Sequence, residues 1–382
     1  MNKGFPMVPL GRVIRHHKEF ISIDDLETYK RCRVQLHAQG IVLRDIVSGS
    51  EIKTKKQQVC RAGEFLVAEI DAKVGGFGIV PDDLDRAIVS SHYFLFQVDE
   101  AALDRRFLQF FIRTPTFREQ VSAQGSTNYA AIRPNDVLGY EIPLPLLEEQ
   151  RRIVVRIDEL AAKIDEARGL RREAEVDCDT LCRSIIFDRS DAKPTPTPMR
   201  ELVRLREPDV FVSAGETYQF AGVYCFGGGV FKGRRKSGAE FAYTRLTRLR
   251  SGNFVYPKLM AWEGALAVVP PECDGLVVST EFPVFEVDQG RVLSETLDVY
   301  FRTPSVWPLL SASSTGTNVR RRRLNSEDFL AYKMPLPSML KQQRLREVKG
   351  KVDALKGLQA TTAAKLDAML PSILDKAFKG EL

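Results

Sequence analysis

The side chains best placed to do chemistry in this sequence are cations grouped beside glycine, and the partner they suit is a polyanion. Lys232, Arg234, Arg235 and Lys236 are expected in a Gly-rich loop after Gly227-Gly228-Gly229, and Arg320, Arg321, Arg322 and Arg323 follow Gly316-Thr317-Asn318. In the first half, Lys53, Lys55 and Lys56 stand beside Gln57 and Gln58, while Asn128, Tyr129 and Arg133 follow Gly125-Ser126-Thr127. Ammonium and guanidinium groups neutralise backbone phosphates, an arginine fork matches a guanine edge, and an asparagine amide matches an adenine edge. All of these residues, with Asn318, are therefore candidates for contacting DNA. The competing reading of each run is a solvated basic loop.

Catalytic chemistry is sparse. Glu69-x-Asp71-x-Lys73 contains the D-x-K spacing of a metal-dependent nuclease, but a three-residue pattern arises often by chance, and positions 260 and 262 of the second half hold Met and Trp. The six cysteines form no CxxC pair and only four histidines are present, so no metal site is expected. No GxxxxGK[ST] loop occurs, which argues against an ATP-driven motor. No Asn/Asp-Pro-Pro-aromatic tetrapeptide occurs either, so methyl transfer, if any, is expected from a partner.

The elements that must position these residues occur twice. Ile142-Pro143-Leu144-Pro145 leads to Gln150, and 192 residues later Met334-Pro335-Leu336-Pro337 leads to Gln342. Arg61-x-Gly63-x-Phe65 recurs as Arg250-x-Gly252-x-Phe254 at an offset of 189, which holds through Gly75/Gly264, Phe96/Phe285 and Arg113-Thr114-Pro115/Arg302-Thr303-Pro304. Near the start, Met7, Leu10 and Val13 align with Met199, Leu202 and Leu205 at 192. Duplication accounts for this unbroken order of matches.

After each Pro-Leu-Pro motif, apolar residues alternate spacings of four and three, from Ile153 to Ile185 and from Leu345 to Ile373. These are narrow helical seams expected to pack on each other. Paired antiparallel about their midpoints, they set Arg171 near Gln359. Some 30 to 40 helical residues at about 1.5 Å rise make a rod of roughly 45–60 Å. Such a rod would hold two globular domains at opposite ends, further apart than one DNA turn of about 34–36 Å. The expected organisation is residues 1–145 and 199–337 as globular domains, 146–190 and 338–382 as helices, and 191–198 as a stiff Pro/Thr linker without a packing role. The globular parts mix short strands and helices, an α+β class. A net charge of +6 leans toward anionic partners, and without an apolar span or signal-peptide core the chain is expected in the cytoplasm.

The duplication, the paired Pro-Leu-Pro entries into helices and the ending Ala377-Phe378-Lys379-Gly380-Glu381-Leu382 resemble the specificity subunit of a type I restriction-modification system. The resemblance covers essentially the whole chain. It implies two tandem target recognition domains, each reading one half of a split double-stranded DNA site, joined and separated by two long antiparallel coiled-coil helices. It implies a non-catalytic subunit that docks two copies of a DNA adenine methyltransferase subunit and, through them, two restriction subunits where present. S-adenosylmethionine would then belong to the methyltransferase, and ATP and Mg to the restriction subunit, with no cofactor in this chain and no membrane partner. Leu340-Lys341-Gln342-Gln343 departs from the acidic pair Glu148-Glu149 of the first copy.

Overall fold

The computed structural model describes residues 5–122, 131–188, 194–311 and 323–382. The chain divides into two compact units, one comprising Met1–Gly169 with Thr362–Leu382 and the other Leu170–Thr361.

In the first unit the chain runs through β1 (Met7–Pro9), β2 (Ile14–His17), β3 (Phe20–Ser22), β4 (Thr28–Gln35), β5 (Gly40–Ser48) and β6 (Lys56–Val59). It continues through β7 (Phe65–Ala68), β8 (Phe77–Ile79), β9 (Ile88–Val89) and β10 (Tyr93–Val98). Three short helices, α1 (Arg105–Phe111), α2 (Pro115–Ser122) and α3 (Pro134–Gly139), lead to β11 (Glu141–Pro143) and the 41-residue helix α4 (Leu147–Phe187). One sheet has the order β2-β10-β7-β8, a second β3-β6-β9-β4-β5, and β1 pairs with β11. The local causes are ordinary. β7 reads Phe-Leu-Val-Ala and is buried on both faces. Helix α1 begins where the Asp104 carboxylate accepts from the backbone N–H of Arg106 and Phe107, and the chain breaks before Pro115. The core is aromatic, with Phe65, Phe77, Phe96, Phe107, Phe111 and Phe117 all essentially inaccessible to solvent.

The second unit repeats this plan. Its strands are β12 (Thr195–Pro198), β13 (Val203–Leu205), β14 (Val210–Phe211), β15 (Thr217–Tyr224), β16 (Gly229–Ser237) and β17 (Arg245–Arg248). After them come β18 (Phe254–Val255), β19 (Ala267–Val268), β20 (Val277–Val278) and β21 (Val284–Val287). Helices α5 (Ser294–Phe301), α6 (Trp307–Ser311) and α7 (Ser326–Ala331) precede β22 (Lys333–Leu336) and the 41-residue helix α8 (Met339–Lys379). The sheet orders β13-β21-β18-β19 and β14-β17-β20-β15-β16, with β12 on β22, match the first unit strand for strand.

Hydrogen bonds re-register one end of the repeat. Leu10 N–H donates to Tyr140 O and Met199 N–H to Tyr332 O, while Asp99 N–H donates to Val13 O and Asp288 N–H to Leu202 O. Leu10 is thus equivalent to Met199 and Val13 to Leu202, an offset of 189 where the sequence pattern indicates 192. Apolar residues spaced by three match themselves after a slip of three, so spacing alone could not fix the register. The Pro/Thr linker also differs from expectation, because Thr195–Pro198 forms β12, antiparallel to β22. Proline is tolerated on such a two-stranded edge, where one side of the strand needs no donor.

Each unit contains segments of both long helices, running antiparallel. In the first, Ile153 and Ile157 share the core with Leu374 and Ala377, and Arg168 bonds Asp367 at 3.0 Å. In the second, Cys182, Ile185 and Ile186 share the core with Leu345 and Val352, and Lys356 bonds Asp179 at 2.9 Å. Midpoint pairing would set Arg168 opposite residue 360 and Asp179 opposite residue 349, so each ion pair falls seven residues further along α8. Docking of the helix ends into the two globular cores determines the register, and the seam midpoints do not.

Candidate nucleic-acid interface

The basic stretch Lys232–Lys236 lies on β16, in an antiparallel hairpin with β15, rather than in a loop. Lys232 faces Ala221, Arg235 faces Gln219 and Lys236 faces Tyr218, with a register shift between Gln219 and Ala221. Gly233 and Arg234 therefore share one partner position, a β-bulge, which brings Lys232 and Arg235 onto the same side of the hairpin. The Gln219 side-chain amide donates to Gly233 O at 2.6 Å and fixes the bulge. All four cations are exposed, so the hairpin offers positive charge on both faces.

The first unit places different chemistry at the equivalent strand. β5 aligns with β16 at the 189 offset, and each ends in a serine that accepts from the backbone two residues on (Ser48 from Ser50, Ser237 from Ala239). Leu43-Arg44-Asp45-Ile46-Val47 thus occupies the place of Lys232-Gly233-Arg234-Arg235-Lys236. Asp45 is clamped by Arg31 at 2.6 and 2.7 Å, and this hydrogen bonding holds its carboxyl below the ordinary range. Lys53, Lys55 and Lys56 are not the structural counterpart of the β16 cluster; they lie in the turn before β6 and at its first residue. Lys53 is exposed, Lys55 is held by Asp25 and by Gly49 O, and Lys56 lies over the Phe20 ring at 4.9 Å. Gln57 and Gln58 face the interior at 8% and 1% exposure, where the Gln58 amide donates to Ser90 O and Tyr93 O. They are unavailable for reading bases.

Arg133 is exposed at the start of α3, and its backbone N–H donates to Asp136 at 2.7 Å. Arg323 bonds Glu281 at 2.6 Å, so its guanidinium is already engaged. Asn128, Tyr129, Asn318, Arg320, Arg321 and Arg322 lie outside the described residues. Asp71 and Lys73 belong to a single 3-10 turn, and among the described residues no group of three or more His, Cys, Asp or Glu side chains converges. The nuclease alternative thus gains no support.

Sequence reasoning missed Arg245. It begins β17 as Lys56 begins β6 and lies over the Phe211 ring at 4.6 Å. The 189 offset would have paired it with Lys56. Also missed was the role of Gln150 and Gln342, which are 0% and 1% exposed. Gln150 accepts from Asp104 N–H at 2.8 Å and donates to Ala102 O and Pro145 O at 2.9 Å. Gln342 accepts from Leu293 N–H at 2.8 Å and donates to Pro337 O at 3.0 Å and Arg291 O at 3.4 Å. These bonds explain the recurring Pro-Leu-Pro-to-Gln spacing.

The chain is thus a duplicated α+β unit that displays cations on one hairpin, with long helices tied to each core. Residues 16–176 match the family model of the type I restriction modification DNA specificity domain. No curated protein sequence matches the chain. Among solved structures, the HsdS subunit from Thermoanaerobacter tengcongensis is similar at 24% identity, covering 99% of this chain and 97% of that one, with a TM-score of 0.58. A chain from a structure on complex assembly and conformational transition of the type I R-M system is similar at 23% identity, covering 99% and 98%, with a TM-score of 0.69. These likenesses establish the fold over the whole length.

Proposed function

We propose that this chain is the specificity subunit of a type I restriction-modification system, that it reads a bipartite double-stranded DNA site, one half per unit, and that it docks two copies of a DNA adenine methyltransferase subunit along its long helices. Restriction subunits would join through the methyltransferases where the system has them. S-adenosylmethionine would be bound by the methyltransferase, and ATP and Mg by the restriction subunit. One observation supports the two-half reading: the scaffold repeats strand for strand, while the equivalent exposed strands β5 and β16 diverge from Leu-Arg-Asp-Ile-Val to Lys-Gly-Arg-Arg-Lys. Divergence of an exposed strand on a frame of preserved topology is what reading two different sequences requires. Docking is supported by apolar side chains that the helix segments of the second unit leave in solvent, among them Leu170 (59%), Val176 (65%), Leu340 (77%) and Leu358 (66%).

Methylome sequencing of the host with the gene intact and deleted tests the reading. A split adenine-methylated motif that disappears on deletion is the expected result. A continuous motif, or an unchanged methylome, would overturn it. Replacing residues 229–237 by residues 40–48 should then alter one half of the motif and leave the other intact.

A further inference from the structure

We infer that Lys56 with Phe20, and Arg245 with Phe211, are anchors on the DNA backbone, each cation meeting a phosphate and each phenyl ring packing on the neighbouring deoxyribose. The cations stand at equivalent positions, while the rings stand two residues apart on the same face of the edge strand, Phe211 opposite Arg245 and Phe20 opposite Gln58. This rests on the DNA-reading function proposed above and assigns it residues. Both pairs sit on the outermost two strands of a five-stranded sheet, β3 with β6 and β14 with β17. In the first unit the Lys56 ammonium lies 4.9 Å from the Phe20 ring centre, and in the second the Arg245 guanidinium lies 4.6 Å from that of Phe211. The aromatic residues are turned outward although their neighbours Ile21 and Val210 pack inward. Phe20 is 39% exposed and Phe211 70%. An exposed phenyl ring on the edge strand beside the cation, present in each unit though at different positions, calls for an apolar partner from outside the unit.

The charges around the pairs point the same way. Nearby Arg61 is neutralised by Glu19 at 2.6 Å, and Arg206 by Asp209 at 2.8 Å. Among the described residues neither Lys56 nor Arg245 joins an ion pair, so each keeps a full charge that its ring orients without cancelling. The duplication identifies the target as backbone rather than base. Residues that read bases must differ between two domains with different half-sites, as β5 and β16 do. A residue that meets phosphate has the same task in both, and a cation survives at the first position of β6 and of β17, with Lys exchanged for Arg and a phenyl ring beside it from the edge strand. Phosphate contacts position a protein on the duplex without carrying sequence information.

The test uses the full chain assembled with its methyltransferase subunits and two fluorescent duplexes, one carrying the methylome motif and one with both halves scrambled. Lys56→Gln and Arg245→Gln should each make the slope of log affinity against log salt shallower by about 0.9, which is about threefold to fourfold less loss of affinity between 50 and 200 mM salt. Both duplexes should respond alike, and the methylated motif should not change. Phe20→Leu and Phe211→Leu should weaken both duplexes with the slope kept, while Lys56→Arg and Arg245→Lys should behave as the wild type, which excludes misfolding as the cause. Variant curves that superimpose on a wild type that binds would refute the anchors and leave the DNA-reading function standing. A change confined to the motif duplex would show base reading and refute the backbone assignment. A wild-type assembly with no preference for the motif would instead remove the underlying function.

Discussion

Replacing Gln342 by leucine should loosen the second unit and spare the first. The side chain is 1% exposed, and its amide bridges Leu293 N–H, Pro337 O and Arg291 O. Leu293 is the residue that starts α5, so one amide ties the entry of α8 to the start of a core helix. Leucine keeps the volume but leaves a buried N–H and two carbonyls without their partner. An orphaned buried group costs about 1–3 kcal/mol. The 3.4 Å bond is weak, so the expected loss is about 3 kcal/mol. The chain's two tryptophans, Trp262 and Trp307, both lie in the second unit, so their fluorescence in a urea titration reports that unit alone. Gln342→Leu should lower the tryptophan midpoint, whereas Gln150→Leu should leave it and speed amide exchange in α1, whose capping residue Asp104 it holds. A loss below about 1 kcal/mol for Gln342→Leu, the net worth of a single exposed-type hydrogen bond, would refute the clamp. So would an equal tryptophan shift from Gln150→Leu.

Three other outcomes follow from the same geometry. Phe378 lies edge-on to Phe107 and Phe111 at 5.0 and 5.1 Å, so Phe378→Ala should cost the first unit about 2–3 kcal/mol, less than a fully buried Phe, read by amide exchange in α1. Burial raises the Glu64 carboxyl above the ordinary range, against the opposing pull of Arg61 N–H and His17. Folding therefore favours its protonated form, and its contribution is lost as pH rises from about 4.3 through the raised folded value. Glu64→Gln should remove that component from the first unit's acid stability profile, measured as the difference from wild type, while the tryptophan-reported profile stays unchanged. Exchanging the β16 segment for β5 should change one half of the methylated motif only.

The duplication, the α+β class and the long helices were legible because they rest on local signals, such as proline before a helix, a seam of period 3.5 and glycine at fixed offsets. Gly63 and Gly252, with φ of 82° and 84°, show why such glycines recur: the turn needs the left-handed region. What failed depended on partners distant in sequence. Gln57 and Gln58 read as polar surface beside lysines, yet strand pairing with β3 and β9 turns them inward. The Gly-rich stretch before Lys232 read as a loop because glycine marks turns, but the turn is short and the cations already belong to the strand. The helix register could not be read from the seams because the apolar ends answer to the globular cores.

The positions kept between the units and those released differ in kind, and this explains how one frame carries two different surfaces. Kept residues hold backbone in place. Gln150 and Gln342 clamp helix entries, and the turn bonds Arg61 N–H to Glu64 as Arg250 N–H to Asn253. Released positions exchange one self-consistent interior solution for another. His17 on Glu64 at 2.6 Å becomes Arg206 on Asn253 at 2.8 Å, and the buried thiol pair Cys32 and Cys60 becomes Ala221 and Leu249. Each exchange replaces both partners together, as a buried polar contact demands, since changing one alone would orphan the other. On the exposed strands such coupling is limited to the Arg31–Asp45 clamp of the first unit, whose equivalents are Phe220 and Arg234. β5 and β16 keep their hairpin, their bulge and their serine stop through backbone bonds, while their outward side chains vary one at a time at little cost to stability. Under the proposed function, specificity changes at least cost to the fold on these strands, where backbone bonds carry the structure and the side chains are free to vary.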